Sequence, residues 1–296
     1  MQLIYEGKDI ASEVDIQTCK IHDLSGEKFD SVEIIFNNHE NQWSSWKPEK
    51  NQMVLIKHEG FSSGQMYING MQQLSGCIKM ICLPVKTKAK EKHTKSWENV
   101  TLMELLNEFA NKNALKLKTY NINNYRYHRL TQVEESDFVF ISKRCMIEGY
   151  VMKITNNSLV VYDEKFMEAQ HPIEIHMSDV IGEFRFYDGL TKTYSGARIG
   201  DYIYLCEDTI GPIINLDIET NSIGESERFA KNGLRSVNKY ESIMEFDIKF
   251  NPGIAAGCTV DLNGFGLADN KYYVFQCTQN ISSNLTSLKL RTIPGW

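Results

Sequence analysis

Thr101-Leu-Met-Glu-Leu-Leu-Asn-Glu-Phe-Ala110 is the first helical stretch within residues 96–164, the part of this sequence that limits the fold more strongly than any single motif. Thr101 and Glu104 form a capping box, in which the Thr oxygen accepts a backbone N–H and the Glu side chain reaches back to the cap residue. The stretch therefore predicts an amphipathic helix that buries one face. Its apolar residues repeat with helical spacing, at Leu102, Leu105, Leu106, Phe109 and Ala110.

A second helix and a hairpin are predicted directly downstream. Ser136-Asp137 is a typical helix start. Gly149 lies where the helix should end, at a position that favours a left-handed backbone conformation. Strands are predicted over 150–154 and 159–162, joined by the turn residues at 156–158. Together the two helices and the hairpin form a compact α+β module. The residues that face inward from the second helix are expected to be Phe138, Ile141 and Cys145.

Strand patterns flank this module on both sides. Residues 29–36 place apolar side chains on one face at a period of two, and short strands separated by turns continue to residue 85. From residue 173 the strand pattern returns, with one more helix predicted at 225–240. Both β-rich parts contain a strand, a Gly-Phe turn and an aromatic strand, at Gly60-Phe61 and Gly264-Phe265, which is weak evidence of duplication.

We therefore expect a mainly β fold with an α+β insert, in which two small tube-like β-barrel domains flank or surround the module. The predicted domains are a first β-barrel at 1–85, the α+β module with two short helices at 86–168, and a second β-barrel at 169–296. The last of these is expected to contain the helix, at about 225–241.

Composition excludes several classes of function. The 296 residues carry a net charge of −6, which argues against a specific nucleic-acid partner, because binding phosphate requires a cationic surface. The lysine-rich segment 86–95 is interpreted as a solvated linker, and a polyanion site is the less favoured alternative. Seven scattered cysteines indicate reduced thiols in a protein made in the cytosol. We expect no signal peptide and no membrane span.

Motifs for catalysis, metals and cofactors were weighed against structural explanations. Gly264-Phe-Gly266 lacks the third glycine and the helix of a dinucleotide site, so it is interpreted as a turn. Cys77 and Cys82, like His171 and His176, should point to opposite faces of a strand, which disfavours metal binding. We expect no catalytic residue, no metal and no cofactor, and the chain is not expected to be an enzyme.

Four aromatic residues are candidates for a partner interface. Trp43 and Trp46 could form a platform for a partner or a sugar, although packing against the first barrel is favoured, since exposed Trp is costly. Phe265 and Trp296 are further candidates because large aromatics often anchor interfaces. For these two, barrel packing or a disordered terminus is an equally good explanation.

Three stretches of the chain resemble the late-control D family of phage tail proteins, the central baseplate hubs of contractile tails and related bacteriocin particles. The first is the alternating strand at 30–36. The second runs from the helix at 101–110 through 132–150, and the third spans 251–290. Each stretch is a fold signature, so the resemblance rests on their order. One departure is Asp269-Asn270, where the family usually has Asp-Gly.

The resemblance implies a structural role without a reaction. Hubs of this family are homotrimers, in which two barrels per chain imitate the sixfold tail tube above and the threefold face below receives the central spike. It implies that the partners are further copies of the chain, the tail tube protein, the spike and baseplate wedge proteins. The protein would assemble in the bacterial host cytoplasm and then belong to an extracellular phage or phage-tail-like particle.

Two alternatives remain open from the sequence. The chain could be the hub of a non-contractile tail tip or of a secretion needle, with the same fold in another particle. It could also be a cell-wall hydrolase, with carboxylates near Trp43 and Trp46 as acid and base. We expect no appended lysozyme, peptidase or receptor-binding domain, which argues against an enzyme-bearing hub, and fold analogy alone provides no catalytic site for a hydrolase. An infectious phage and a DNA-free bacteriocin are not distinguished.

Overall fold

The computed structural model describes residues 1–26, 28–189 and 193–296. Strands account for 48% of the chain and helices for 20%. The fold is therefore mainly β with helices concentrated in the middle of the chain, as the sequence predicted.

The N-terminal β-rich part is built around alternating strands. The predicted strand at 29–36 is confirmed, because Val32, Ile34 and Phe36 are fully buried in one core. Its elements are β1 (Gln2–Tyr5), β2 (Lys8–Asp9), β3 (Ile16–Leu24), β4 (Ser31–Asn37), α1 (Gln42–Trp46), β5 (Met53–His58), β6 (Phe61–Ser62), β7 (Met66–Leu74) and β8 (Cys77–Leu83).

The short helix α1 differs from the loop or strand end expected around Trp43. The Asn38 side chain accepts the backbone N–H of Trp43 at 3.0 Å, which starts the turn. The Trp43 ring then packs inside the core against Phe36, with 4.3 Å between ring centroids. Burial of this large side chain stabilises a single helical turn that has little propensity of its own.

The α+β module contains both predicted helices and the predicted hairpin. The capping box is confirmed, since Glu104 N donates to Thr101 Oγ1 at 3.3 Å and Thr101 N donates to Glu104 Oε2 at 2.7 Å. Gly149 has a φ of +81° after the second helix. The elements are β9 (Lys92–Thr101), α2 (Leu102–Lys112), β10 (Lys116–Tyr120), β11 (Arg126–Ser136), α3 (Asp137–Ile147), β12 (Tyr150–Thr155), β13 (Ser158–Asp163) and α4 (Glu164–Glu168).

The lysine-rich segment 86–95 is only partly the linker that was expected. A 3₁₀ turn covers Thr87–Lys90, but β9 begins at Lys92 and pairs with β11. Trp97 of β9 is buried against Phe109 of α2 and stacks on Phe140 of α3. This aromatic contact holds the strand on the helices, and composition alone does not reveal it.

The C-terminal β-rich part includes the long helix predicted at 225–240, which the structure confirms as α5. Its elements are β14 (Ile173–His176), β15 (Val180–Asp188), β16 (Gly196–Ile199), β17 (Tyr202–Leu205), β18 (Ile213–Asn215), α5 (Ile223–Asn238), β19 (Ser242–Lys249), β20 (Thr259–Asn263), β21 (Lys271–Asn280) and β22 (Leu285–Thr292).

The two β-rich parts share one long sheet. Among the described strands, the order is β15-β19-β22-β21-β3-β4-β8-β7-β5-β1-β2. The link is the antiparallel pair of β3 and β21, in which Leu24 faces Gln276 and Lys20 faces Asn280. We expected two separate barrels, whereas no closed barrel occurs among these strands. The pairing satisfies backbone groups that would otherwise form two open edges.

Three hydrophobic cores lie along this framework. One belongs to the N-terminal part and one to the strands of the C-terminal part. The third combines the module with later residues, because Ala197 of β16 and Phe229 and Leu234 of α5 pack with it. The domain limits 1–85, 86–168 and 169–296 stay predictions, and hydrophobic contacts cross the last of them.

The capping box of α2 predicts a measurable loss on mutation. We expect Thr101→Ala to lower the free energy of unfolding by about 1 kcal/mol, because an N-terminal backbone N–H loses its acceptor. Ser136→Ala is the matched control, since Ser136 caps α3 without a side-chain hydrogen bond, and its loss should be smaller. Urea unfolding of both variants measures this, and equal losses would contradict the role assigned to Thr101.

Candidate functional site

The candidate functional site is a buried polar junction where the two β-rich parts meet the module. Its charged residues come from three elements: α4, the C-terminal end of α5, and β22. Buried charges in proteins are paired, so their partners decide what the junction can do. The residues, called the ionic cluster below, are Glu164, Glu168, Arg235, Lys239 and Arg291, and all of them are buried.

Each carboxylate oxygen of the ionic cluster contacts a cation. Arg291 Nη2 lies 2.7 Å from Glu168 Oε1 and 2.9 Å from Glu164 Oε1. Lys239 Nζ lies 2.9 and 3.0 Å from the two Glu164 oxygens. Arg235 Nη2 donates to the second oxygen of Glu168. With both carboxylates occupied in this way, the cluster is suited to holding elements together and not to transferring protons.

The cations favour the ionised form of Glu164. Burial alone would raise the pKa of this carboxyl group, but Arg291 and Lys239 outweigh burial and lower the pKa of Glu164 to about 2. Burial would also lower the pKa of Arg291, and Glu164 and Glu168 reverse that effect and raise it. Glu164 and Arg291 therefore stay charged at neutral pH.

A further cation, Lys153 of β12, whose side chain is only 10% exposed, connects the module to both β-rich parts. Its Nζ donates to the carboxylate of Asp23 on β3 and, at 3.3 Å, to the carbonyl of Ala256. Asp23 Oδ2 in turn accepts the backbone N–H of Ala256 at 2.8 Å. Burial would lower the pKa of Lys153, but Asp23 and Asp30 raise it. The Lys153 ammonium group therefore links β12, β3 and the backbone at Ala256, which are far apart in the sequence.

Asp30 lies at the edge of the same contact, with Oδ2 4.0 Å from Lys153 Nζ. Its Oδ1 accepts the backbone N–H of Leu24 at 2.9 Å. Burial raises the pKa of Asp30 to about 7, although Lys153 opposes the shift. Asp30 and Glu164 are therefore two buried carboxyl groups whose pKa values shift in opposite directions.

Three hydroxyl groups complete the junction, one from each part of the chain. Ser25 Oγ lies 3.0 Å from Tyr162 Oη and 2.5 Å from Tyr273 Oη, and the two tyrosine oxygens are 3.0 Å apart. The guanidinium of Arg291 stacks over the Tyr273 ring at 4.1 Å from its centroid. The three hydroxyl groups and the ionic cluster therefore form one continuous network.

Sequence reasoning missed the ionic cluster, although a signal for it exists. Glu164 and Glu168 are four residues apart, and so are Arg235 and Lys239. Like charges at this spacing on one helix face repel each other. Two such pairs of opposite sign on separate helices indicate that the helices face each other.

The structure does not bring the four predicted interface aromatics together. Trp43 is buried in the N-terminal core, and Trp46 packs on it while keeping 38% of its surface exposed. Phe265 is buried in the C-terminal core against Phe246. Contacts with a partner through Trp43, Trp46 or Phe265 stay predictions.

Trp296 lies half-buried on the core of the module. Arg235 Nη1 donates to its carbonyl oxygen and, at 3.0 Å, to that of Pro294. The ionic cluster therefore also fixes the segment that carries Trp296. Its role at an interface likewise stays a prediction.

The metal candidates were assessed in the described ranges 1–26, 28–189 and 193–296. There, no three His, Cys, Asp or Glu side chains are grouped so that they could hold a metal ion. His171 and His176 are exposed, and Cys82 is buried while Cys77 is only partly so. In those same ranges, no helix combines the length and the apolar character needed to cross a membrane.

The ionic cluster predicts a large loss of stability when one partner is removed. We expect Arg291→Met to lower the free energy of unfolding by about 3–5 kcal/mol, because Glu164 and Glu168 stay buried with too few counter-charges. Lys289→Met on the same strand is the matched control. Lys289 pairs with Glu245 at 2.8 Å with both side chains more than a third exposed, so its loss should be about 0–1 kcal/mol. Urea unfolding measures both, and equal losses would contradict the role of the cluster.

The lowered pKa of Glu164 predicts how stability changes with pH. The stabilisation that ionised Glu164 provides is complete above the ordinary pKa of 4.5. It is lost as the pH falls toward the folded-state pKa of about 2. Glu164→Gln should therefore be less stable than the wild type at about pH 6, and the difference should shrink toward about pH 2. Denaturant unfolding across this range measures the difference.

For Asp30→Asn, we expect the effect on stability to change with pH in the opposite direction. Ionisation of Asp30 disfavours the folded state as the pH rises from its ordinary pKa of 3.8 to about 7. The variant should therefore gain stability relative to the wild type over that interval. The same pH trend for both variants would contradict these assignments.

Comparisons with known proteins show where this fold occurs. No protein-family model matches the chain, and no curated protein matches it. Solved structures do match over nearly the whole chain. A tail protein from Neisseria meningitidis MC58 is 11% identical with a TM-score of 0.77, covering 100% of this chain and 96% of that protein.

Two further structures are similar over almost the same length. The 43 kDa tail protein of prophage MuSo2 from Shewanella oneidensis is 12% identical, with a TM-score of 0.71 and coverage of 98% of this chain and 96% of that one. The E. coli c3393 protein, a component of the type VI secretion system, is 10% identical, with a TM-score of 0.70 and coverage of 100% and 78%. The chain therefore has the fold of phage tail proteins and of a type VI secretion component.

Proposed function

We propose that this chain is a structural baseplate hub of a contractile phage tail or a tailocin, in the manner of the late-control D family. In this proposal it acts as a homotrimer that joins the sixfold tail tube to the threefold central spike. The shared fold supports a role in a tail-like apparatus. The E. coli relative is described as similar to the T4 phage tail proteins gp27 and gp5, which are proteins of such an apparatus.

The observation that carries the proposal is the pairing of β3 with β21. It places two β-rich parts side by side in one sheet. The ionic cluster, Lys153 and the three hydroxyl groups described above hold the module against both β-rich parts. A chain with two fixed β units can supply six such units from three copies, and closed cyclic symmetry is the usual arrangement of soluble oligomers.

The ends of the long sheet support assembly into a ring. Among the described strands, β15 pairs only with β19, and β2 pairs only with β1. Open edges of this kind are a risk of aggregation unless they are covered. Contacts with neighbouring copies would cover them, and Ile181 on β15 is 46% exposed at such an edge.

We infer that the protein works through interfaces and not through a reaction. The buried carboxylates of the ionic cluster are occupied by cations, which suits a rigid connector. The proposed partners are further copies of the chain, the tail tube protein, the central spike and the wedge proteins. Assembly in the bacterial host cytoplasm would precede incorporation into an extracellular particle.

The candidate interface residues fit this proposal unequally. Trp46 offers an exposed aromatic edge supported from below by Trp43. Trp296 is half-buried and held through Arg235. Phe265 would act by shaping the turn around it, since its own ring is buried. The buried position of Trp43 disfavours the hydrolase alternative, which requires an open platform at 43–46.

A hub of a non-contractile tail tip or of a secretion needle is the second candidate. Its support is the similarity to the E. coli type VI secretion component and, at 9% identity and a TM-score of 0.62, to the Listeria monocytogenes prophage tail protein gp18. The genes next to the one that encodes this chain would discriminate between the contractile and the non-contractile hub. A sheath gene favours the contractile tail, and a long tape-measure gene without a sheath favours the alternative.

The proposal predicts the mass and the symmetry of the purified protein. We expect light scattering to give three times the 34.1 kDa of one chain and negative-stain images to show a threefold ring. Ile181→Lys should weaken the trimer by placing a charge at the β15 edge. Ile223→Lys, at the exposed start of α5, is the matched control and should leave it intact. A monomer that binds neither tail tube nor spike protein would refute the hub.

A further inference from the structure

A small three-stranded sheet lies apart from the long sheet and covers α5. Its order is β17-β16-β18, antiparallel on one side and parallel on the other. The inner face packs on the core of the module through Ala197, Ile199 and Ile214. Because side chains alternate along a strand, Ile203, Leu205 and Ile213 belong to the opposite, outer face.

The outer face is apolar at one end. Leu205 is 61% exposed, and Leu205 and Ile213 both pair with Gly196 in the register of the sheet. The loop at 206–212 joins these two strands at the same end and carries Ile210, which is 72% exposed. We call Ile203, Leu205, Ile210 and Ile213 the outer patch.

The absence of a side chain at Gly196 lets Leu205 pack across the outer face. A Cβ atom there would lie 2.5 Å from the Tyr204 carbonyl oxygen and 2.9 Å from Leu205 Cδ2. The position therefore accepts no side chain, because the Leu205 side chain occupies the space above Gly196, which is itself buried. A group of neighbouring exposed aliphatic side chains is typical of a surface that binds a partner.

The charge around the outer patch is predominantly acidic. From residue 199 to residue 227 the sequence contains acidic residues and no Lys or Arg. Arg198 is the cation that the outer face itself carries. Within the described ranges, none of the exposed acidic residues on this stretch forms an ion pair; they are Asp201, Glu207, Asp208, Asp217, Glu219 and Glu227.

Both outer strands of the small sheet also offer backbone groups. Among the described strands, β17 and β18 each pair only with β16. An extended peptide can add to such an edge, with main-chain hydrogen bonds giving affinity and alternate side chains giving specificity. An identical copy would bring carboxylates against carboxylates, which disfavours self-association here.

We propose that the outer patch is a docking surface for an extended, cationic segment of a partner protein, with aliphatic side chains alternating with Lys or Arg. The aliphatic side chains pack on the exposed Leu205, Ile210 and Ile213. The basic side chains meet Glu207 and Asp208, and the backbone pairs with β17 or β18. This surface is separate from the β15 edge, so the inference does not depend on the trimeric hub.

The test uses the full chain and a synthetic peptide of about ten residues with alternating Val and Lys as the probe. Its Kd is measured by fluorescence anisotropy at about 50 mM and about 300 mM salt, since screening weakens exposed charge contacts. We expect binding that weakens with salt. A matched peptide with Glu in place of Lys should bind at least about tenfold more weakly.

Variants of the chain locate the binding. Leu205→Ser and the pair Glu207→Gln with Asp208→Asn should each weaken binding of the Val-Lys peptide by about fivefold or more. Leu267→Ser is the matched control, because Leu267 is 98% exposed in a different part of the chain, and its Kd should not change. Circular dichroism verifies that each variant is folded.

Three outcomes would overturn the inference. One is equal binding by wild type and Leu205→Ser, and another is equal binding of the Lys and Glu peptides. The third is self-association of the chain that Leu205→Ser abolishes, because it would make a second copy the occupant. None of these outcomes bears on the Ile181→Lys test of the trimer, so the two proposals can fail separately.

Discussion

The guanidinium of Arg291 is completely buried and contacts carboxylates from α4, while its own strand lies in the shared sheet. Removing such an ion from water costs several kcal/mol, and only good geometry with further hydrogen bonds offsets this. Here Lys239 and Arg235 complete the contacts to Glu164 and Glu168, while Nε of Arg235 and Nε of Arg291 have no hydrogen-bond partner among the described residues. The orientation of the module relative to the strands depends on this arrangement.

The junction extends beyond ion pairs. From Arg291 the contacts continue to the Tyr273 ring, then to the hydroxyl groups of Tyr162 and Ser25. Buried networks of this kind specify one arrangement, since partial disruption leaves polar groups unsatisfied. For a protein whose proposed task is to hold two β units at a fixed angle, a specific arrangement matters more than added stability.

Local features of the fold were accessible from the sequence, and long-range ones were not. The capping box at Thr101, the glycine at 149 and the hairpin of β12 and β13 depend on neighbouring residues, so spacing alone predicts them. The pairing of β3 with β21 joins segments from distant parts of the chain, and alternation along each strand does not identify its partner. The ionic cluster was missed for the same reason, since its residues meet only in three dimensions.

The β3–β21 pairing also has a consequence for biosynthesis. During translation β3 emerges early, whereas β21 is made only after the module and α5 have left the ribosome. Closing so long an intervening chain carries a large entropy cost, and topologies rich in distant contacts fold slowly. The nascent N-terminal part, in which β3 pairs only with β4 among the described strands, therefore spends most of its synthesis with one edge of β3 open, and open strand edges on incomplete chains favour aggregation.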